Sequence, residues 1–389
     1  MTTTREGADR LQKMPPYLFA QIEEKIAAMK GEGIDVISLG IGDPDMPSPA
    51  RVITSLAAAA ADPSTHQYPS NRGRLSFREA VAQFYDRRFD VSLDPADQII
   101  PALGAKEAVA NLNLAFLNPG DVALSADPGY PVYTTGPILA GAEAYPMPLL
   151  PERGFQPDLD AIPTDVARQA KIMWLNYPNN PTGAVIEDDF FARVVAFAKR
   201  HDVIVIHDNA YSELTYDGYV APSFLETPGA IDVGLEVFSL SKPWNMTGWR
   251  VGAVVGNAEL ASIYWQLKTN LDSGMFEAVQ EAGATALCDC DKLVEEMRGV
   301  YLRRRNTLCE ALTAIGLDVT PPKGTIYVWA PVPDGHDSRS FTEQVLEEAH
   351  VVISPGSAFG AAGEGFIRMS LTLEDERLNE AAERIAKLV

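Results

Sequence analysis

The alternation of strand-like and helix-like segments is the feature that most limits how this chain can fold. Six apolar, β-branched runs predict strands, at 35–40, 121–126, 172–176, 203–208, 237–241 and 250–256. Amphipathic runs such as 104–117 and 188–201 lie between them and predict helices. This order is typical of a mostly parallel sheet covered by helices on both faces, which binds ligands at the carboxyl ends of its strands.

The pattern changes after about residue 284. A long charged helical run, 290–316, leads to further strand-like runs and to a final helical run from about 374 to 389. The N-terminal segment is too short to fold alone. The sequence therefore predicts an α/β protein with a large domain over 48–283 and a smaller α+β domain built from 1–47 and 284–389.

Charge and cysteine content exclude several classes of protein. The 53 acidic and 32 basic side chains give a net charge of −21, which repels nucleic acids and anionic lipids. Cys288, Cys290 and Cys309 lack the spacing of a zinc site or a disulfide framework, so we expect no metal. No apolar stretch is long enough for a signal core or a membrane span, so we expect a cytoplasmic protein without membrane or nucleic acid partners.

Polar residues at predicted strand ends are the first candidates for a site. Asp208 ends the run 203–208, and Tyr211 follows three residues later. A carboxylate at this position either contacts a ligand or caps the next helix. The segment NYPNNPTG, 176–183, follows another strand; it is either an elaborate turn or a rigid loop that holds an Asn amide against a ligand.

Lys242 lies just beyond a strand-like run in the segment SLSKPWNMTGWRVG, 239–252. An isolated lysine is ordinarily a solvated charge. Its neighbours here are Ser, Pro, Trp, Met and Gly, which indicates an enclosed site where the amine acts as a nucleophile. Arg250, eight residues later, is placed to supply a cation for an anionic ligand.

Three further segments have open interpretations. Gly104, Ala105 and Lys106 begin a predicted helix, where backbone NH groups favour a phosphate, although such starts also serve packing. Arg368 alternates with apolar residues in FIRMSL, so it forms either an internal ion pair or a contact with a substrate carboxylate. The glycine-rich segment 356–365 lacks the context of a dinucleotide site and is interpreted as a surface loop.

Considered together, these segments resemble the fold-type I pyridoxal-phosphate enzymes, specifically the class I and II aminotransferases. The resemblance begins near PPYLFAQI, 15–22, and is carried by SLGIGDPD, HQYPSNRG, DPGYPVY, NYPNNPTG, HDNAYSE, SLSKPWNMTGWRVG and FIRMSL. Within this family the segments are most similar to the LL-diaminopimelate aminotransferase branch. The resemblance implies a large domain with a mostly parallel seven-stranded sheet, bound pyridoxal 5'-phosphate, amino acid and 2-oxo acid substrates, and a homodimer with active sites at its interface.

The resemblance also assigns catalytic roles residue by residue. Lys242 forms a Schiff base with the cofactor and then moves a proton between the substrate Cα and the cofactor. Asp208 pairs with the pyridine nitrogen, which keeps the ring an electron sink. Tyr211 and Asn180 donate hydrogen bonds to the ring oxygen, and Tyr130 stacks on the ring face.

The remaining roles concern the phosphate and the substrate. By the same resemblance, the phosphate is held by the NH groups of Ala105 and Lys106, by Ser239 and Arg250, and by Tyr68 of the second subunit. Arg368 binds the substrate α-carboxylate with two parallel hydrogen bonds. The residues that face the substrate are Gly40, Asn180, Tyr17 and Asn270.

Two departures from the family pattern concern the substrate side. Pro243 and Trp244 follow Lys242 where the branch usually has Thr and Tyr, and Gly324 and Ile326 stand where Ala and Phe are expected. They motivate two alternatives to transamination. One is a pyridoxal-phosphate enzyme that eliminates or replaces a β- or γ-substituent or forms a carbon–carbon bond; the other is a non-catalytic binding module.

Overall fold

The computed structural model describes residues 7–15 and 18–388 of the chain, with side chains described for 7–15 and 24–388. The helices are α1 (Asp9–Gln12), α2 (Leu18–Gly31), α3 (Ala50–Ala60), α4 (Leu75–Phe89), α5 (Ala105–Phe116), α6 (Val132–Ala140), α7 (Thr164–Gln169), α8 (Phe190–His201), α9 (Ala258–Lys268), α10 (Glu277–Asp289), α11 (Asp291–Ala314), α12 (Ser338–Ala349) and α13 (Asp375–Ile385). The strands are β1 (Ile37–Ser38), β2 (Ile99–Ala102), β3 (Val122–Asp127), β4 (Glu143–Pro148), β5 (Ala170–Leu175), β6 (Ile204–Asn209), β7 (Gly234–Ser239), β8 (Gly252–Gly256), β9 (Tyr327–Pro331), β10 (Val351–Val352), β11 (Ser354–Pro355) and β12 (Phe366–Ser370).

A seven-stranded sheet in the order β2-β8-β7-β6-β5-β3-β4 forms the centre of the large domain. Strand β8 pairs antiparallel with both of its neighbours, and the other pairs are parallel. Parallel strands need helical crossovers on the faces of a sheet, which explains the alternation of strands and helices in the sequence. The predicted fold class is confirmed.

Both faces of this sheet are buried, because consecutive side chains of a strand point to opposite sides. In β5, Ile172 and Trp174 belong to the apolar cluster that α5, α6 and α9 cover. Met173 and Leu175 belong to the cluster on the opposite face, which α4, α8 and α10 cover. A strand buried on both faces is apolar throughout rather than at alternate positions, as the sequence shows.

Two smaller sheets involve the C-terminal part of the chain. Strands β11, β12 and β9 form an antiparallel sheet, and β1, from the N-terminal part, pairs in parallel with β10. Apolar side chains of α11, α12 and α13 share one core with β1, β9, β10 and β12. The domain boundaries at residues 47 and 283 stay a prediction. None of the described helices combines the length and the apolar character that crossing a bilayer requires.

The glycine-rich segment 356–365 is not the surface loop that the sequence suggested. Gly356, Phe359 and Gly363 are buried, and the segment contains two short 3₁₀ turns. The NH of Gly129 donates to the Phe359 carbonyl over 2.8 Å. The segment therefore connects the three-stranded sheet to the end of β3 in the large sheet.

Candidate active site

A cavity of about 350 Å³ lies between the carboxyl edge of the large sheet and the three-stranded sheet. Its lining includes residues from both sides and most of the candidates that the sequence singled out. The predicted residues that line it are Ala105, Lys106, Tyr130, Asn180, Asp208, Tyr211, Ser239, Lys242, Arg250 and Arg368. These residues lie up to 263 positions apart in the sequence, between 105 and 368. The fold therefore brings residues of separate motifs together in one cavity.

Asp208 lies at the end of β6 and is 7% exposed. Its Oδ2 atom accepts a hydrogen bond of 2.8 Å from the Tyr133 hydroxyl, whereas Oδ1 has no hydrogen-bond partner among the described residues. Burial raises the pKa of Asp208 to about 6, although the Tyr133 hydrogen bond and nearby His207 act in the opposite direction. The site thus holds a carboxylate with one oxygen available to a cationic ligand.

Lys242 is held in a turn that follows β7, and its Nζ donates to the Gly42 carbonyl over 2.5 Å. The turn is fixed by Trp244, which is 1% exposed and packs edge-to-face on Phe84 and Phe238. Pro243 is buried and does not line the cavity. The lysine therefore projects into the cavity from a rigid support, and the proline belongs to that support.

One end of the cavity is built to receive an anion. Helix α5 begins at Ala105, directly after Gly104, which has a left-handed φ of 83°. A Cβ at Gly104 would collide with the Arg250 guanidinium, so glycine allows the cation to approach the helix start. Arg250 donates to the Thr247 carbonyl over 2.8 Å and to the Leu103 carbonyl over 3.4 Å. A helix N-terminus beside a cation favours a phosphate-sized anion.

Arg368 lines the cavity from β12 and is 3% exposed. Its Nη1 donates to Asn180 Oδ1 over 2.9 Å, and its Nη2 donates to the Gly40 carbonyl over 2.7 Å. Both of these hydrogen bonds are to neutral oxygens, one of a side-chain amide and one of the backbone. A planar guanidinium presents paired donors that match a carboxylate, so its place in the cavity lining suits an anionic ligand.

Sequence reasoning missed two tyrosines of the cavity, Tyr133 and Tyr327. Tyr133 donates to Asp208, as described above, and Tyr327 accepts a hydrogen bond of 3.4 Å from the Tyr211 hydroxyl. Burial opposes ionisation of Tyr327, but Arg368 and Lys242 outweigh it and lower its pKa. Tyr133 occurs in the segment DPGYPVY and Tyr327 directly follows Ile326, yet an aromatic residue in an apolar run has the pattern of a core residue.

Three of the predicted residues that the structure describes lie outside this cavity lining. Gly40 contacts Arg368 through its carbonyl. Tyr68 is 88% exposed, and Asn270 is exposed and donates to the Gln266 carbonyl over 2.9 Å. Tyr17 lies outside the described residues.

The structure explains the unusual Gly324. A Cβ at this position would approach the Pro178 side chain to 2.7 Å, so the close packing of the 176–183 loop excludes alanine here. Ile326 is fully buried in the core of the three-stranded sheet and does not line the cavity. The sequence places both changes on the substrate side, whereas in the structure they lie at packing positions.

Comparisons with known proteins agree on one family. The family model described as aminotransferase class I and II matches residues 34–385. Proteins named LL-diaminopimelate aminotransferase from Moorella thermoacetica and Syntrophobacter fumaroxidans are 52% and 53% identical to this chain. The alignments cover 99% and 98% of this chain and 98% of each relative. The substrate-bound structure of BacF from Bacillus subtilis is 37% identical, with a TM-score of 0.96 and coverage of 99% of this chain and 98% of that chain.

Proposed function

Because this chain belongs to the class I and II aminotransferases, which use pyridoxal 5'-phosphate, we propose that its amino donor is LL-diaminopimelate. The chain is thus an aminotransferase that exchanges an amino group between an amino acid and a 2-oxo acid. The observation that supports the specific donor is identity of 52–53% over nearly the whole length with relatives named for this substrate. The residues that motivated elimination or carbon–carbon bond formation, Pro243, Gly324 and Ile326, serve packing, so they do not support those alternatives.

The cavity residues fit the cofactor. The available Oδ1 of Asp208 suits the pyridinium nitrogen, the start of α5 with Arg250 suits the phosphate, and the Lys242 amine suits the aldehyde carbon. When bound, pyridoxal phosphate supplies an electron sink that makes the substrate Cα proton acidic. Asp208 would serve this chemistry by remaining ionised beside the ring, and Ser239 would add a hydrogen bond to the phosphate.

Lys242 would hold the cofactor through a covalent bond from Nζ. Once substrate displaces Lys242 from this bond, its free amine would take a proton from the substrate Cα and deliver it to the cofactor. The packing of Trp244 restricts where Nζ can move, which favours a short path for that proton. Tyr211 would stay protonated as a hydrogen-bond donor to the ring oxygen, because burial raises its pKa well above its usual value.

Arg368 would bind the α-carboxylate that amino donors and 2-oxo acid acceptors have in common. Two donors of one guanidinium fix the carboxylate plane, and so fix which Cα bond lies perpendicular to the cofactor ring. Asn180, which already accepts from Arg368, would help to set that orientation. Tyr130 would stack on the ring face, and Lys106 would contribute charge at the phosphate.

We further infer a homodimer in which Tyr68 completes the phosphate site of the partner subunit and Asn270 contacts its substrate. Tyr68, Asn270 and Leu271 are exposed, and Gly274 lies against Pro69, so these residues share one surface. We place the enzyme in the cytoplasm, where free thiols such as those of Cys288, Cys290 and Cys309 persist.

Single-turnover spectroscopy tests the proposed donor. The cofactor-loaded protein is mixed separately with LL-diaminopimelate, its meso isomer, lysine and aspartate, and the 2-oxo acid product is measured. We expect the LL isomer to give a second-order rate constant at least about tenfold above the others, a difference of about 1.4 kcal/mol. Release of ammonia without a 2-oxo acid acceptor would instead support elimination, and reaction with aspartate alone would overturn the proposed donor.

Mixing inactive and weakened subunits tests the shared site. A chain with Lys242→Ala lacks the reactive lysine in its own cavity, and a chain with Tyr68→Phe weakens its partner's cavity. In a mixed dimer, the cavity of the Tyr68→Phe chain keeps its own Lys242 and receives an intact Tyr68 from the Lys242→Ala chain. Adding the Lys242→Ala chain should therefore raise the activity per Tyr68→Phe chain. No increase, with mixed dimers verified by mass, contradicts the shared site.

A further inference from the structure

The guanidinium of Arg368 is positioned by aromatic rings as well as by hydrogen bonds. Its Cζ lies 4.1 Å from the ring centroid of Tyr327 and 4.6 Å from that of Phe359. Aromatic faces attract cations, and this attraction strengthens when both groups are desolvated, as these are. Because a guanidinium is planar, its packing against rings restricts the plane in which its donors lie.

Phe359 is in turn held from the large sheet. It belongs to the 356–365 segment, whose connection to β3 has two components. The Gly129 NH donates to the Phe359 carbonyl, and Asp127 Oδ1 accepts from the Ala362 NH over 3.0 Å. A Cβ at Gly360 would collide with the Asp127 carboxylate, so the segment is closely fitted around it.

Asp127 has no other evident use in the site. It is the last residue of β3, is only partly buried, and does not line the cavity. Its carboxylate accepts a hydrogen bond from the backbone of a segment that packs against Arg368. The contact chain runs from Asp127 through Ala362 and Phe359 to the guanidinium.

We propose that Asp127 is a positioning residue for substrate binding: it fixes the 356–365 segment so that Phe359 sets the orientation of Arg368 toward an α-carboxylate. The inference rests on the proposed function in one respect, namely that Arg368 binds the substrate carboxylate. Asp127 makes no contact with substrate or cofactor. Its effect is on the affinity for α-carboxylates, and both substrates of the reaction have one.

The test compares Asp127→Ala, Phe359→Leu and the double variant in the cofactor-loaded enzyme. We expect each single change to raise KM for the amino donor and for the 2-oxo acid about tenfold, because the lost interaction orients a bound carboxylate. The kcat of each variant should stay within about threefold of that of the unmodified enzyme. Since both residues act through one contact chain, the double variant should also show about a tenfold increase rather than a hundredfold increase.

Two further variants separate positioning from general structure. Asp127→Asn retains an oxygen that can accept from Ala362, so we expect its KM values to stay near those of the unmodified enzyme. Asp62→Ala removes a carboxylate that accepts from the Ser64 backbone over 2.9 Å in a 3₁₀ turn outside the cavity lining, and it should leave KM unchanged. Affinity of the cofactor-free protein for pyridoxal phosphate should be the same in all variants.

The outcomes distinguish the two proposals. If Arg368→Lys leaves KM for both substrates unchanged, the proposed carboxylate role of Arg368 fails. If Arg368→Lys raises KM but Phe359→Leu does not, or if the Asp127 and Phe359 effects multiply, the positioning role of Asp127 is overturned. Should Asp127→Ala fail to fold, a KM for Phe359→Leu equal to that of the unmodified enzyme overturns it as well.

Discussion

The two walls of the cavity are assembled in different ways. On the large-sheet wall, Asp208, Ser239 and Lys242 come from the ends of neighbouring strands β6 and β7 and the turn after β7. On the opposite wall, Arg368 donates to Gly40, a residue 328 positions earlier in the chain. The first wall is a local product of parallel strand order, whereas the second depends on long-range packing. We therefore expect changes on the first wall to affect chemistry and changes on the second to affect substrate affinity.

Among these changes, Lys242→Ala should have the largest effect, a loss of kcat with little change in ligand affinity. Loss of the amine removes both covalent attachment and proton transfer, so kcat should fall by at least about 10⁴-fold. Binding of an unreactive α-carboxylate ligand, measured by calorimetry, should change less than about threefold, because Arg368 is untouched. Lys323→Ala, which removes an exposed lysine paired with Glu187, is the matched control and should retain full activity.

Arg368→Lys should show the complementary behaviour. A lysine keeps the charge but loses the planar pair of donors, so we expect KM for both substrates to rise about a hundredfold, or about 2.7 kcal/mol. Affinity of the cofactor-free protein for pyridoxal phosphate should stay within about twofold, since the proposed phosphate site is formed by the start of α5 and Arg250 and not by Arg368. A parallel loss of cofactor affinity would show that the two walls are not separable.

Asp208→Asn should make the cofactor-free protein more stable while impairing catalysis. The folded-state pKa of Asp208 is raised from 3.8 to about 6, so the fold favours the neutral acid. The contribution of Asp208 to the free energy of unfolding is present below pH 4 and is lost as the pH rises through about 6. The loss is on the order of 2–3 kcal/mol.

Denaturant unfolding of the cofactor-free protein measures this effect. At pH 7.5 the Asn variant should exceed the unmodified protein by that amount, and at pH 4 or below the two should converge. An equal difference at both pH values would mean that the substitution acts through packing rather than through charge.

Pro243→Ala should have the smallest effect. The proline lies in the support of Lys242 and not in the cavity, so kcat/KM should change less than about twofold; loss of its restricted φ should lower the free energy of unfolding by about 0.4–1 kcal/mol. Thermal unfolding and steady-state kinetics check both values. A kinetic effect above tenfold would restore Pro243 as a determinant of the reaction.

The sequence predicted the large-sheet wall well, for a physical reason. Parallel strands place their carboxyl ends at one edge, so polar residues after apolar runs, such as Asp208 and Lys242, are found by position alone. The six predicted strand runs all overlap observed strands, and the fold class follows from their alternation with helices.

The opposite wall was harder to predict. Tyr327 and Phe359 lie in apolar surroundings where an aromatic residue has the same pattern as any core residue, and only their distance from Arg368 reveals a role. From the sequence, segment 356–365 is interpreted as a surface loop because it lacks the context of a dinucleotide site. Its glycines instead allow close contacts, with Asp127 in one case. Roles that depend on a second subunit, as proposed for Tyr68, have no signal in the pattern of one chain.

The available oxygen of Asp208 has a consequence for the abundance of the protein in a cell. A ligand that binds only the folded chain shifts the unfolding equilibrium in proportion to its concentration above the dissociation constant. A newly made chain that has not yet met a cation for Asp208 unfolds more often and is exposed to proteases for longer. The steady-state abundance of this protein should therefore follow the cofactor supply of the cell, even when its synthesis is constant.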